Sequence, residues 1–439
     1  MAPWLVVAAV AAAAPTLNLS YADARPVLDA LRADLLPAQL RGPSAAALES
    51  TWPGWVVRRD AEIRARVERG DEDSVVTLLL FGVTFTSQPR YSFAAWASGR
   101  APQGRPEDVV ANDPIVKTRI ADMVRGIALP GSSERLQFAK RVVERRGIDP
   151  ATFLVEALKR MLREYDDYFK QSAPGATLFR DRGLSSDTSI YAAFAIDRSL
   201  SDVTSQGVLP AGSVRRAAVI GPGLDFTDKQ EGIDFYPVQT IQPFALIDSL
   251  RRLRLAGPGG LQVTTYDLSP QVNQHIEGAI RQAESGRAYT LQLPRDSTQP
   301  WQEDLVAYWR RAGDRIGEAA TPVEPPRGQN HIRMRAVRIG PDVVRAITPQ
   351  DVNIVLQRPD LPDDQRFDLV IATNILIYYD VFEQSLALAN ITRMLRPGGL
   401  LLTNTPLFEL PEIPIRAVGG TKANYMTGAS DGVIWYLRE

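Results

Sequence analysis

Two kinds of apolar pattern divide the chain. From about Ala22 to Leu200 the apolar positions recur at helical spacing. The clearest case is Pro150–Phe169, where Phe153, Leu154, Ala157, Leu158, Met161 and Leu162 share one face. Asp60–Arg69 is charge-rich and suits an exposed helix, whereas Asp73–Gly82 is an apolar run that periodicity assigns equally to a buried helix or a strand. From Arg215 onward short apolar runs alternate with helical patterns, the signature of a parallel sheet with crossover helices. The predicted strands are Arg216–Ile220, Leu261–Tyr266, about Ile332–Ile339, Phe367–Thr373 and Leu400–Thr405, with a last one near Val433–Leu437. Helices are expected from near Thr240, over His275–Ser285, and after Asp380, which forms a capping-box pattern with Glu383. The expected organisation is an apolar N-terminal segment over residues 1–20, a mostly α-helical domain over 21–205 and a doubly wound α/β domain over 206–439.

The chemistry-bearing residues fall at the ends of the predicted strands, where open parallel sheets bind ligands. Ala217-Ala-Val-Ile-Gly221-Pro-Gly223-Leu-Asp225 is a strand entering a glycine turn, and glycine lets a backbone approach a ligand closely. The third glycine of a dinucleotide fingerprint would fall at Phe226, which argues against a nicotinamide or flavin dehydrogenase. Thr-Thr-Tyr-Asp267 places a carboxylate at the next strand end, suited to accept hydrogen bonds from ribose hydroxyls or to cap the following helix. The interval from the glycine turn to Asp267 is longer than the usual ~20 residues, and Phe226–Gln239 reads as an insertion. Asn374 follows the fourth strand, and Pro397-Gly398-Gly399 is a turn before the fifth.

In that order these motifs resemble the core of the class I S-adenosylmethionine (SAM)-dependent methyltransferases, over roughly residues 210–439. The resemblance implies a Rossmann-like sheet and SAM as cofactor, held by Gly221, Pro222, Gly223, Asp225, Asp267, Leu268, Asp351, Val352, Thr373 and Asn374. Within that set Asp351 is the expected partner of the adenine amino group. A base is needed only if the acceptor must lose a proton, and the candidates are Tyr379, Asp228 and Glu231. Asn374-Ile-Leu-Ile-Tyr-Tyr-Asp380 is also similar to the matching stretch of the chemotaxis receptor glutamate methyltransferases, as is Thr177-Leu-Phe-Arg180-Asp more faintly. The polar segment Arg182–Tyr191 is placed to act as a lid. The alternative is a non-catalytic protein that uses the same fold to bind a ligand or partner.

Composition narrows this further. The 439 residues include no cysteine, which excludes disulfides, thiolate zinc sites and iron–sulfur clusters. Only His275 and His331 are histidines, and no metal site is expected. With 50 basic and 51 acidic residues the formal charge is -1, so no nucleic-acid partner is expected; the acceptor is a small molecule or a peptide or protein side chain. Trp4–Ala14 is apolar enough for a signal or anchor but lacks a preceding basic residue. A SAM enzyme needs the cytoplasm, where SAM is made, and that compartment is favoured over export.

Overall fold

The computed structural model describes residues 14–93, 103–170, 182–227 and 233–439. All but the last residue of the apolar segment Trp4–Ala14 lies outside these, as do the Thr177–Arg180 motif and the base candidates Asp228 and Glu231.

The first half is helical: α1 (Tyr21–Ala30), α2 (Ala45–Phe81), α3 (Pro106–Asn112), α4 (Pro114–Ala128), α5 (Glu134–Arg146), α6 (Pro150–Lys170) and α7 (Ile190–Ser205), preceded by a short strand β1 (Thr16–Asn18). The second half carries β2 (Arg216–Ile220), α8 (Gln242–Arg252), β3 (Gln262–Tyr266), α9 (Pro270–Glu284), β4 (Tyr289–Asp296), α10 (Glu303–Arg311), β5 (Gly317–Ala320), β6 (Ile332–Ile339), α11 (Pro341–Val344), β7 (Ile347–Gln350) and β8 (Gln357–Pro359). It ends with β9 (Phe367–Ala372), α12 (Val381–Met394), β10 (Leu395–Thr403), β11 (Ile415–Met426) and β12 (Ala429–Arg438). No helix among the described residues is long and apolar enough to cross a membrane.

The central sheet runs β7-β3-β2-β9-β10-β12-β11. The first five of these strands are mutually parallel, and β12 lies antiparallel between β10 and β11. Counted along the chain, the order is 3-2-1-4-5-7-6. This is the doubly wound order 3-2-1-4-5-6 with one reversed strand inserted before the edge. The strand order turns back between β2 and β9, which is where such sheets leave a crevice.

Two expectations are corrected. Ile332–Ile339 is a strand, but it belongs to a separate antiparallel sheet, β4-β6-β5, instead of the central one. The third parallel strand is β7, which pairs with β3 in register Val263↔Ile347 to Tyr266↔Gln350. The reason lies in the side chains. Ile-Arg-Met-Arg-Ala-Val-Arg-Ile carries exposed Arg333 and Arg338 between buried Ile332, Ala336, Val337 and Ile339, the pattern of a half-solvated antiparallel strand. Asp73–Gly82, left open between helix and strand, continues α2 to Phe81.

Alternate residues of the central strands feed two apolar clusters, one on each face. Ala217, Val219, Leu369 and Ile371 belong to one, and Ala218, Ile220, Val370 and Ala372 to the other. The helical half covers both faces. Trp52, Trp55 and Ile63 of α2 join the second cluster, and Val75, Leu78 and Leu79 of the same helix join the first. With 37 residues α2 is about 55 Å long. It therefore crosses from one face to the other, with its middle turns passing the crevice.

Candidate functional site

At the carboxyl ends of β2, β3 and β9 lies a cavity of about 300 Å³. Its floor is the glycine turn with Tyr266–Ser269 and Thr373–Ile375. Val352 and Ile354 form one side, and Ile377–Tyr379 close another. Val67 of α2, Tyr165 of α6 and the segment Arg182–Thr188 make the roof.

The glycine turn is shaped by what packs against it. Gly221 (φ 66°) donates its N–H to the Tyr266 carbonyl at 2.8 Å, joining the ends of β2 and β3. Gly223 has φ 62°, and a Cβ there would lie 2.5 Å from the Ser186 carbonyl oxygen. Both glycines thus have positive φ, and the second also meets backbone that cannot give way. The roof segment is held by Leu224 N–H to Ser186 O (2.7 Å), Thr188 N–H to Leu224 O (2.8 Å) and Leu184 N–H to Arg66 O (2.9 Å). Gly70 and Gly183 cross so closely that a Cβ on Gly70 would sit 1.8 Å from the Leu184 carbonyl. Arg182–Thr188 is therefore a wall fastened at both sides.

Asp267 faces the glycine turn. Its carboxylate accepts the Ser269 N–H at 2.8 Å, with the backbone N–H groups of Gly223 and Leu268 nearby. Burial is the largest influence on this carboxyl and pushes it up to about 7; the backbone donors oppose that rise, while the Asp351 charge adds to it. The bond to Ser269 is a local turn ahead of α9; Ser269 is the N-cap of that helix, which has no side-chain cap, so Asp267 does not take the helix-capping role considered from sequence. That bond occupies only part of a carboxylate with about four acceptor positions.

Of the residues named from sequence, Gly221, Gly223, Asp267, Leu268, Val352, Thr373, Asn374 and Tyr379 come together at this cavity. Pro222 is buried beneath the turn and does not line it. Asp225 is corrected: it points away, accepting from the Tyr236 hydroxyl (2.8 Å) and Gln239 Nε2 (2.9 Å), since the turn at Gly223 carries the chain under the roof segment. Asp351 is also corrected. It stands outside the cavity, its two oxygens 2.8 and 3.0 Å from Arg64 Nη1, while the adjacent Val352 faces in. Tyr379 lines the cavity but does not suit a base. Burial raises its phenol well above the ordinary value, and the Arg66 guanidinium lies 5.7 Å over its ring.

Asn374 adopts φ 61°, which asparagine tolerates better than most residues. Its N–H and Oδ1 bond the side chain of Asn404 at 2.8 and 2.5 Å, tying the ends of β9 and β10 together. The expected capping box of Asp380 and Glu383 starts α12.

Sequence reasoning passed over Gln242, Ser269, Val67 and Tyr165, all in the cavity lining. Nothing in the sequence marks the last two, which come from distant helices. Ser269 and Gln242 were findable only as polar residues opening helices that follow sheet strands. Gln242 Oε1, Ser269 Oγ and Thr373 Oγ1 are buried without a hydrogen-bond partner among the described residues. Among the described residues no group of three or more His, Asp or Glu side chains could hold a metal.

The chain matches no protein-family model and no curated protein. Among solved structures it is similar to the N-methyltransferase NodS from Bradyrhizobium japonicum WM9 in complex with S-adenosyl-L-homocysteine (12% identity, 56% of this chain and 85% of that one, TM-score 0.25). It is also similar to the magnesium protoporphyrin IX methyltransferase ChlM from Synechocystis PCC 6803 with bound SAM (9% identity, 71% of this chain, 100% of that one, TM-score 0.27). A third likeness is to LaPhzM, at 13% identity over 95% of this chain and 94% of that one, TM-score 0.27. These superpositions are loose, and the order and direction of the strands carry the assignment: the second half of the chain has a class I methyltransferase fold.

Proposed function

We propose that the protein is a SAM-dependent methyltransferase acting on a small molecule or on a peptide or protein side chain. One observation supports this above the others. A glycine turn and a strand-end carboxylate meet at the switch point of the sheet, and they open onto a roofed cavity.

The lining fits the cofactor. Asp267 can take both ribose hydroxyls, and Leu268, Val352 and Ile354 offer apolar contact to a flat base. The three unpartnered polar atoms of Gln242, Ser269 and Thr373 are what a polar ligand would satisfy. When bound, the cofactor supplies an activated sulfonium methyl. The protein's share is then to align an acceptor lone pair and to keep water out. The roof from Val67, Tyr165 and Arg182–Thr188 serves the second task. Asp187, on the roof, is the other carboxylate among the described lining residues; Ser74 Oγ donates to it at 3.1 Å.

The test is incubation with SAM carrying a labelled methyl group and fractionated cell extract. Label transferred to an acceptor supports the proposal. Tight SAM binding with no transfer to any fraction favours the non-catalytic alternative, and failure to bind SAM sinks both.

A further inference from the structure

The separate three-stranded sheet ends in a cluster of arginines. β4 and β6 pair antiparallel, with Arg295 directly opposite Arg333 and Leu293 opposite Arg335. Residues two apart on a strand share a face, so Arg295, Arg333 and Arg335 stand on one side of the sheet. The same side sends Leu291, Leu293 and Val337 into the core. Arg295 lies against two indoles, 5.6 Å from the ring centre of Trp301 and 5.8 Å from that of Trp309 in α10.

The three arginines differ in their partners. Arg335 donates to the carbonyls of Trp309 and Ala312 and to the Asp314 carboxylate. Arg295 and Arg333 have no hydrogen bond or ion pair with any described residue, and Arg295 Nε is buried. Asp296, next along β4, faces the other side of the sheet and accepts from Thr298 at 2.8 and 2.6 Å. Like charges directly opposite each other in a ladder are destabilising. Here such a pair is kept without a counter-charge. Contact with the indoles orients the Arg295 guanidinium while leaving its N–H donors unspent.

We propose that Arg295 and Arg333 form a binding site for a phosphate group, either the free ion or a phosphate monoester. Each guanidinium presents a fork of donors that matches an oxyanion bidentately. Cα atoms opposite each other in such a ladder are about 4.5–5.5 Å apart, so both forks reach one anion. A phosphate dianion offsets both charges and has three terminal oxygens to share between them, whereas a carboxylate brings one charge and two oxygens. Neither arginine lines the cofactor cavity, so this site is independent of the methyltransferase reading.

Calorimetry with inorganic phosphate, glycerol 2-phosphate and acetate at matched ionic strength tests it. The wild type binds both phosphates, and acetate at least tenfold more weakly. Phosphate binding strengthens from about pH 5.5 to about pH 7.5, because its second ionisation, near 6, supplies the second charge. Arg333→Gln, at an exposed position, weakens phosphate tenfold or more, as expected for a lost hydrogen bond between charged groups. In phosphate-free buffer the same variant unfolds at a higher urea concentration than the wild type, since the opposed charges are gone. Arg295→Gln weakens phosphate to a similar extent. Binding of inorganic phosphate without glycerol 2-phosphate supports the site and narrows it to the free ion. Acetate binding as tightly as phosphate, an unchanged phosphate affinity in Arg333→Gln, or no phosphate binding by the wild type overturns the proposal.

Discussion

Replacing Asp267 by Asn should make the protein more stable above neutral pH and impair it as a SAM-binding protein. The folded carboxyl sits near 7 against an ordinary value of 3.8, because burial disfavours its charge and the Asp351 charge adds to that. A group whose pKa is raised by folding contributes stability that is complete below the unfolded value and is lost as pH rises through the folded one. Wild-type stability should therefore fall between about pH 4 and 7 and level off above. At about 1.4 kcal/mol for each tenfold, the displacement corresponds to a ceiling of about 4 kcal/mol. Water in the open cavity screens the charge, and about 1–2 kcal/mol is the reasonable expectation. Asn keeps an oxygen for the Ser269 N–H and has no proton to lose. Urea unfolding of both proteins at pH 4.5 and 8 should show midpoints that nearly coincide at the lower pH and favour the variant at the higher. Binding should move oppositely. If ribose hydroxyls bond the carboxylate, wild-type affinity for S-adenosyl-L-homocysteine rises by up to tenfold per pH unit below 7 and flattens above, while the variant is weak throughout. Identical pH profiles for the two proteins in both measurements would refute the reasoning.

Three further outcomes are expected. Gly223→Ala pushes a methyl group into the Ser186 carbonyl at a positive-φ position, and should cost about 2 kcal/mol or more in urea unfolding and abolish SAM binding. Asp351→Asn removes only a half-exposed ion pair to Arg64. Calorimetry should find SAM affinity within twofold and stability lower by at most about 1 kcal/mol; a hundredfold loss would return Asp351 to the adenine site. Tyr379→Phe should leave kcat within about threefold once an acceptor is known, whereas a large fall with loss of one limb of the pH–rate profile would restore its role as a base.

The parts of the fold legible in sequence were those buried on both faces. Arg216–Ile220 and Phe367–Ala372 are interior strands and read as unbroken apolar runs. The strands that escaped notice are edges or contain proline. β7 is Ile-Thr-Pro-Gln at the rim of the sheet, where Pro349 is tolerated, and four residues leave no periodicity to read. β11 forms the opposite edge and carries Gly419-Gly420, which reads as a loop. β4 contains Pro294. The acidic run Asp71-Glu72-Asp73 looks like a surface break, yet α2 continues through it because Arg145, Arg146 and Arg160 supply counter-charges. At the site, the glycines and Asp267 were legible because strand-end position alone constrains them. Asp225 and Asp351 misled because acids near strand ends look alike in one dimension. Which of them faces the crevice depends on Tyr236, Gln239 and Arg64, and none of these is adjacent in sequence.

The helical half bears on the site as directly as the sheet does. α2 sends Arg64 to Asp351, Arg66 to the Tyr378 carbonyl and Arg59 to Glu383, so three of its arginines fix two loops and the first turn of α12 at the carboxyl edge of the sheet. The same helix contributes Val67 to the cavity and, at Gly70, the notch through which Gly183 brings the roof segment. The roof in turn bonds Leu224 just past the glycine turn. A sheet of this order alone would leave its crevice open to water. With α2 laid across it, the crevice becomes a cavity whose only carboxylates among the described residues are Asp187 from the roof and Asp267 from the floor. The two halves therefore supply opposite walls of one site. Under the proposed methyltransferase reading, an acceptor approaches between them.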